Sequence, residues 1–457
     1  MGRIPKKKDL KVVFEEQRRF VAGIDLAGHA DHYVCGPRSE DGEANIQHFG
    51  TTTSELERMA DWLIEQKVVS TAMESTSVYW IPVCEMLESR GIEVVLVDTR
   101  EVKMVPGRKS DVQDCQWLQR LHSCGLLRGA FRPPQNICAI RTLIREKATL
   151  VADRAVWVQR MQKSLDQMNI RIHHAVSDLD GATGLAILRA IAQGERDPHK
   201  LAALRDKRCR KSEAKIAEHL TGNWRTEHLF NLRQALMAYE FTAERIRDYD
   251  QQILILFKDE WHGGSGNTPE HPDARKAKSM KCLGEEPLRD ALFHMVGKDL
   301  TVLNGIRPET AAVIISEVGL DFSRFPTEKH FVSYVGLAPR LGKSAGKNVR
   351  QKRCGRTSRV GAALRMAASS QRHSKSELGA YFRNVARRQD AKTAIKATAR
   401  RMAVLIYRLI RYGKEFIDRG AELYEAQSRV KKIKSICRLI NSLNLNDSEI
   451  NLVVNPI

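Results

Sequence analysis

Two short apolar runs in the first hundred residues each end in an acid. Phe20–Asp25 and Ser70–Glu74 read as strands whose last residue is a carboxylate. A third acidic element follows at Lys109-Ser110-Asp111-Val112-Gln113-Asp114-Cys115-Gln116-Trp117-Leu118, which reads as a helix. Asp111 and Asp114 are three apart, so they share one face of that helix, about one turn from each other. Cys115 and Leu118 lie on the same face and turn it towards the protein, while Gln113 and Gln116 point away. Stacked carboxylates either form a solvated charged face or share a cation. Lys109 just before and the apolar residues alongside favour the second. Taken singly, Asp25 reads as a strand-end turn residue and Glu74 as a surface acid; their coincidence gives them weight.

The runs between these acids complete a recognisable order. Strands are expected at Asp31–Gly36, Asn45–Phe49 and Ile92–Val97, and helices over 53–67 and 78–90. The result is a three-strand meander followed by alternating crossovers, ending in the Asp111 helix. That is the order of a ribonuclease-H-like fold, in which the first strand, the fourth strand and the last helix converge at one sheet edge. Four carboxylates meeting there repel unless a divalent metal neutralises them. Two Mg²⁺ ions about 4 Å apart can activate a nucleophile and stabilise a leaving oxygen in phosphoryl transfer.

The remaining chain is more helical and more basic. One long helix is expected from Ile140 to about His173 and a second from 229 to 257, both with near-heptad apolar stripes. They suit an antiparallel coiled-coil arm, a dimer seam or an ordinary bundle core. A Gly- and Pro-bearing stretch over 259–284 reads as a linker. Leu303-Asn304-Gly305-Ile306-Arg307-Pro308 reads either as the hairpin of a helix-hairpin-helix element, offering N–H groups to a phosphate, or as a plain helix start. Ser344 sits in a Gly-rich loop between Lys343 and Lys347, and no nearby His or Asp makes a hydrolase triad with it. The formal net charge of the chain is +20, and Arg340–Lys414 alone holds 21 Lys and Arg against Glu377 and Asp390. A polyanionic partner is expected, held through its backbone, since few aromatics interleave the cations. Arg307, Arg340, Lys343, Lys347, Arg350, Lys352 and Arg353 are the candidate contacts. The nine cysteines form no C-x-x-C pair, no leader is recognisable and no apolar run reaches the ~18 residues of a membrane span. A cytoplasmic protein with reduced thiols and no membrane partner is therefore expected.

Several stretches, taken in order, resemble the transposases of the IS110 insertion-sequence family, in particular their IS1111 branch, and the related Piv-type DNA invertases. They are Gly23-Ile24-Asp25, Met73–Trp80, Lys109–Asp114, Gly184–Ile191, Gly222-Asn223-Trp224 and Tyr334–Pro339, and the resemblance spans roughly residues 20–415. It implies an α/β plus α chain: a basic arm over 1–18, a RuvC-like, ribonuclease-H-like catalytic domain over 19–135, and a coiled-coil or helical insertion over 136–258. The linker over 259–284 then leads to a mainly helical C-terminal transposase domain over 285–420, and a helical and polar tail over 421–457. It carries a D-E-D-D set onto Asp25, Glu74, Asp111 and Asp114 as Mg²⁺ ligands, and a serine nucleophile onto Ser344. In enzymes of this kind the serine forms a covalent phosphoserine link to DNA, with serine and carboxylates coming from different subunits. An element-encoded bridge RNA pairs with donor and target DNA, and homodimers assemble into a tetramer. Three departures stand out: Gly28 where a Lys is common, Ser77 where a Gly is usual, and Arg359-Val360-Gly361-Ala362 in place of Lys-Arg-Gly-Asn after Ser358. The expected function is an RNA-guided DNA recombinase. The alternatives are a water-using RuvC-like nuclease, such as a junction resolvase, and a non-catalytic nucleic-acid-binding protein.

Overall fold

A computed structural model describes residues 15–28, 30–38, 43–75, 77–98, 111–262, 285–338, 341–344, 347–350, 358–413 and 420–443. The chain divides into two compact units, Met1–Arg132 and Pro133–Ile457.

The first unit is built on five strands: β1 (Val21–Asp25), β2 (His32–Cys35), β3 (Ile46–Phe49), β4 (Ser70–Glu74) and β5 (Glu93–Val97). Their order across the sheet is β3-β2-β1-β4-β5. The meander pairs antiparallel, whereas β1–β4 and β4–β5 are parallel. This is the order expected of a ribonuclease-H-like domain. Two helices, α1 (Thr53–Glu65) and α2 (Trp80–Ser89), are the crossovers. They cover one face, where Ile24, Met73, Met59, Leu63, Leu87 and Phe49 form the core. Each of these is essentially inaccessible to water, so truncating one to Ala costs about 2–5 kcal/mol. The opposite face carries α3 (Asp111–Ser123). Ala72 and Val97 pack there on Leu118, and Ser70 Oγ meets His122 Nε2 at 2.9 Å. Burial pushes the His122 imidazole down to about 4, so it is neutral at physiological pH.

The second unit is mainly helical. Its two long helices, Gln135–Gln167 and Thr226–His262, pack along each other. The first starts five residues before the expected Ile140, because Pro133 and Pro134 stop the preceding extended chain and leave Gln135 free to open a helix. It ends at Gln167, and Asn169 takes a left-handed conformation just beyond (φ 57°). The apolar stripe continues to Ile172, because a short 3₁₀ turn at Ile172–His174 returns to the same core. The second helix runs to His262, into the expected linker; residues 263–284 lie outside the described residues. Both stripes are used within the chain. Met161, Leu165, Leu232 and Leu236 join a core with the short helices between 182 and 220. Ile137, Ile140, Ile253 and Phe257 join a larger core with Ile315, Phe331, Met402 and Tyr407. The helices therefore run antiparallel, linking two cores.

That larger core is formed by helices Glu285–Val296, Pro308–Val318, Glu328–Tyr334, Arg359–Ser369, Glu377–Arg388 and Ala391–Tyr412. Tyr407, fully buried, donates its hydroxyl to the Phe325 carbonyl at 2.7 Å. A two-stranded hairpin, β6 (Leu341–Ser344) and β7 (Lys347–Arg350), lies between the third and fourth of these helices. A final helix spans Gly420–Leu443. Among the described residues no helix is long and apolar enough to cross a membrane.

Candidate active site

Side-chain alternation along β1 and β4 decides which acids meet. Ala22 and Ile24 point into the α1–α2 core, so Gly23 and Asp25 point to the α3 side. On β4, Met73 faces that same core, so Ala72 and Glu74 face α3 with Ser70. The parallel register pairs Ile24 with Met73, which puts Asp25 and Glu74 side by side one step further, at the strand ends. Gly23 fixes the third element. A Cβ there would lie 2.3 Å from the Gln119 nitrogen and 2.4 Å from the Cys115 carbonyl oxygen, so α3 rests directly on the bare β1 backbone. Asp111 is one helical turn before Cys115, and Asp25 two residues after Gly23. Both steps run about 6 Å towards the same edge.

The electrostatics of Asp25 fit this placement. The Asp25 carboxyl is pushed up to about 6, first by burial and then by the charges of Asp114, Asp111 and Glu74; the Leu26 N–H opposes the rise. Asp25, Glu74 and Asp114 are half-buried, whereas Asp111 is exposed. The structure thus brings all four sequence-predicted acids to one edge. Among the described residues the acids do not close into a ready metal-holding group. The donor chemistry nevertheless fits a hard cation such as Mg²⁺: four carboxylates, one of them raised first by burial and then by the charges of the others. Cys115 is no competing ligand. Its thiol is pushed up to about 12, mainly by burial, and donates to the Val112 carbonyl at 3.1 Å.

Two of the departures from the family pattern lie beside this edge. Ser77 adopts a left-handed backbone (φ 51°), which explains why Gly is the usual residue there. A side chain at Gly28 would run into the Tyr79 ring at 2.5 Å, so a lysine fits only if Tyr79 turns aside. Behind them Trp80 Nε1 donates to the Ser77 carbonyl at 3.2 Å. The Arg132 guanidinium lies 5.6 Å from the Trp80 ring centre and pairs with Glu88 at 2.6 Å.

In the second unit, Ser344 is the last residue of β6, paired with Lys347, and Lys343 pairs with Asn348. A loop is expected here from the sequence. The chain instead folds back as a hairpin, since only two residues, Ala345 and Gly346, separate the paired positions. The backbone of Lys343, Lys347 and Arg350 is placed on the two strands, while Arg340, Lys352 and Arg353 lie outside the described residues. Arg307 is exposed and precedes Pro308, which opens the helix Pro308–Val318. The changed residues of the third departure have no structural explanation, but the helix start that carries them is tied down. Ser358 Oγ accepts from the Gly361 N–H at 2.9 Å and donates to the Val335 carbonyl at 2.8 Å, tying this helix start to Tyr334–Pro339.

Sequence reading missed the Glu317 cluster. Arg145 grips that carboxylate with Nε at 2.8 Å and Nη2 at 2.7 Å, Arg141 approaches to 3.2 Å and Arg359 to 3.8 Å. Glu317 and Arg145 are 172 residues apart, so no local pattern signals the contact. The role of Gly23 as the spacer between β1 and α3 is a second feature that hydropathy patterning passes over. Its signal, a Gly two residues before an acid in a buried strand, was available.

Comparison with known families agrees with this geometry. A transposase family model, the DEDD type of IS110, matches residues 22–170. A second, described as Transposase IS116/IS110/IS902 family, matches residues 297–383, and together the two cover more than half of the chain. No curated protein matches the sequence. The acids at the sheet edge fall within the first match and the Ser344 hairpin within the second, and the chain belongs to the IS110 family of transposases, enzymes that cut and recombine DNA, with a DEDD-type nuclease domain at its N-terminal end.

Proposed function

We propose that this transposase cuts and rejoins DNA through a covalent phosphoserine link at Ser344, with Asp25, Glu74, Asp111 and Asp114 as its Mg²⁺ ligands, guided by an element-encoded bridge RNA. The observation that carries the acidic half is the placement of Asp25 and Glu74 on neighbouring strand ends, with the Asp111 helix resting on Gly23 beside them. A surface acid cluster would spread apart; this one is built on two adjacent strand ends and a helix fixed by contact at Gly23. When bound, Mg²⁺ supplies positive charge against the crowded phosphate of the transition state.

Ser344 Oγ attacks the scissile phosphate. A serine–phosphate bond forms as the bond to the leaving sugar oxygen breaks; the serine loses its proton and the leaving oxygen gains one. The ester linkage is conserved, so rejoining needs no ATP. Support for Ser344 comes from its hairpin position between Lys343 and Lys347, and from the family resemblance. Lys343, Lys347, Arg350 and the neighbouring Arg340, Lys352 and Arg353 hold the DNA or RNA backbone. Arg307, at a helix N-terminus resembling a helix-hairpin-helix turn, holds another phosphate. Base pairing by the RNA supplies sequence choice, which suits a basic, aromatic-poor surface. Homodimers assembling to a tetramer complete the reading.

The test is denaturing electrophoresis of the protein with element-end DNA, cognate RNA and Mg²⁺, beside Ser344→Ala and Asp111→Ala. A DNA-linked band that survives detergent and is lost in both variants is expected, with cleavage reduced on the order of 10³-fold. Cut DNA without an adduct, still formed by Ser344→Ala, overturns the serine mechanism in favour of a water-using nuclease.

A further inference from the structure

The final helix, Gly420–Leu443, lies beyond both family matches. Its first two turns dock on the helix Glu377–Arg388. The Tyr424 ring meets Tyr381 with centres 6.3 Å apart, and Asn384 Nδ2 donates to Ser428 Oγ at 3.3 Å. On the side turned away from Tyr424 and Ser428 runs a second stripe: Leu423, Ala426, Val430, Ile433, Cys437 and Ile440. The spacing alternates three and four without interruption, the a/d pattern of a coiled coil. Leu423 is 56% exposed, Val430 50% and Ile433 51%, and Cys437 is exposed as well.

We propose that this stripe is an interface with a second copy of the same chain, paired antiparallel. The stripe is self-complementary in spacing, as a two-fold seam requires. With the flanking Ile436, a pair would bury roughly 1,000 Å², about the least that a specific interface needs. The charges beside the stripe choose the direction. In a parallel pair Arg429 faces the partner's Lys434 on both sides of the seam, and like charges repel. Antiparallel, with Val430 layered on the partner's Ile433, Lys434 faces the partner's Gln427 and Arg429 faces the partner's Ile436. This interface is independent of the chemistry proposed for Ser344.

The antiparallel register sets Ala426 against the partner's Cys437. Within one chain these positions are about 16 Å apart along the helix, too far for a disulfide, so a bond between them must join two chains. The experiment is mild copper–phenanthroline oxidation of the full-length Ala426→Cys protein, followed by mass spectrometry of tryptic peptides. The expected result is a linked pair of the peptides containing 426 and 437. Adding Ile433→Glu should lower its yield at least tenfold while leaving the helical circular dichroism unchanged. A 437–437 link instead overturns the antiparallel register. No link at all, with duplex binding weakened by Lys434→Glu, overturns the interface and assigns the helix to nucleic acid.

Discussion

Asp25 and Glu317 are both shielded carboxylates on regular elements, yet their surroundings act on them in opposite directions. Burial raises the Asp25 carboxyl, and the charges of Asp114, Asp111 and Glu74 raise it further, to about 6. Burial alone would also raise Glu317, but the hydrogen bonds from Arg145 and the charges of Arg141, Arg145 and Arg359 outweigh it and hold the group below its usual value. One carboxylate finds its counter-charges within its own fold, and the other is set among groups that oppose it. The first arrangement serves stability. The second leaves like charges facing one another, at some cost to the stability of the fold.

The comparison breaks most visibly at Glu317. Glu317→Gln leaves three arginines facing a neutral amide in a largely enclosed site. Removing one partner of a buried pair typically costs about 3–5 kcal/mol; here about 2–3 kcal/mol is expected, since Arg145 and Arg359 can turn towards water. Urea unfolding monitored on the second unit checks this, and an unchanged midpoint would show that the arginines need no counter-charge.

Asp25→Asn should do the reverse. In the folded state Asp25 binds its proton more tightly than in the unfolded chain, whose value is near 3.8. Its contribution to stability is therefore intact below about pH 4 and is lost as pH rises through about 6. Replacing it with a neutral amide should stabilise the metal-free protein by about 1–2 kcal/mol at pH 7, after discounting for solvent screening. The gain should vanish at pH 4 and shrink when Mg²⁺ is added. Thermal melts of both proteins at the two pH values, with and without Mg²⁺, decide it; a variant less stable at pH 7 would contradict the repulsion.

The smallest effect sharpens the picture beside Glu74. Ser77→Gly relieves a left-handed serine and should add about 0.5 kcal/mol without altering the acids. A loss of stability would mean that the serine hydroxyl contributes more than the backbone strain removes.

The acid-bearing elements were legible because each is short, strongly patterned and ended by a charge. The run Ser70–Glu74 is bounded as the sequence suggests, and the other strands each start one residue later than expected, with β2 also ending one residue earlier. The face of α3 was legible too, since three- and four-residue spacing settles which side chains share it. The length of the first long helix was less so. Apolar spacing alone cannot distinguish a helix that continues to Ile172 from one that stops at Gln167 and returns through a 3₁₀ turn to the same core. The Ser344 hairpin was hidden for a different reason. Gly-rich, basic segments carry no alternating apolar pattern, so strand pairing there leaves no trace in hydropathy. Glu317 was beyond reach because its partners are distant in sequence and each reads alone as an ordinary surface arginine.

Gly23 has a consequence beyond packing. Where α3 rests on the bare β1 backbone, the separation between the helix and strand acids is set by two stretches of backbone in direct contact. That is a lower limit no side chain can imitate, and every substitution there can only lengthen it. The site is thus gauged by an absence of atoms. A single added methyl, carrying no charge and touching no substrate, is enough to move two of the four carboxylates out of step with the other two.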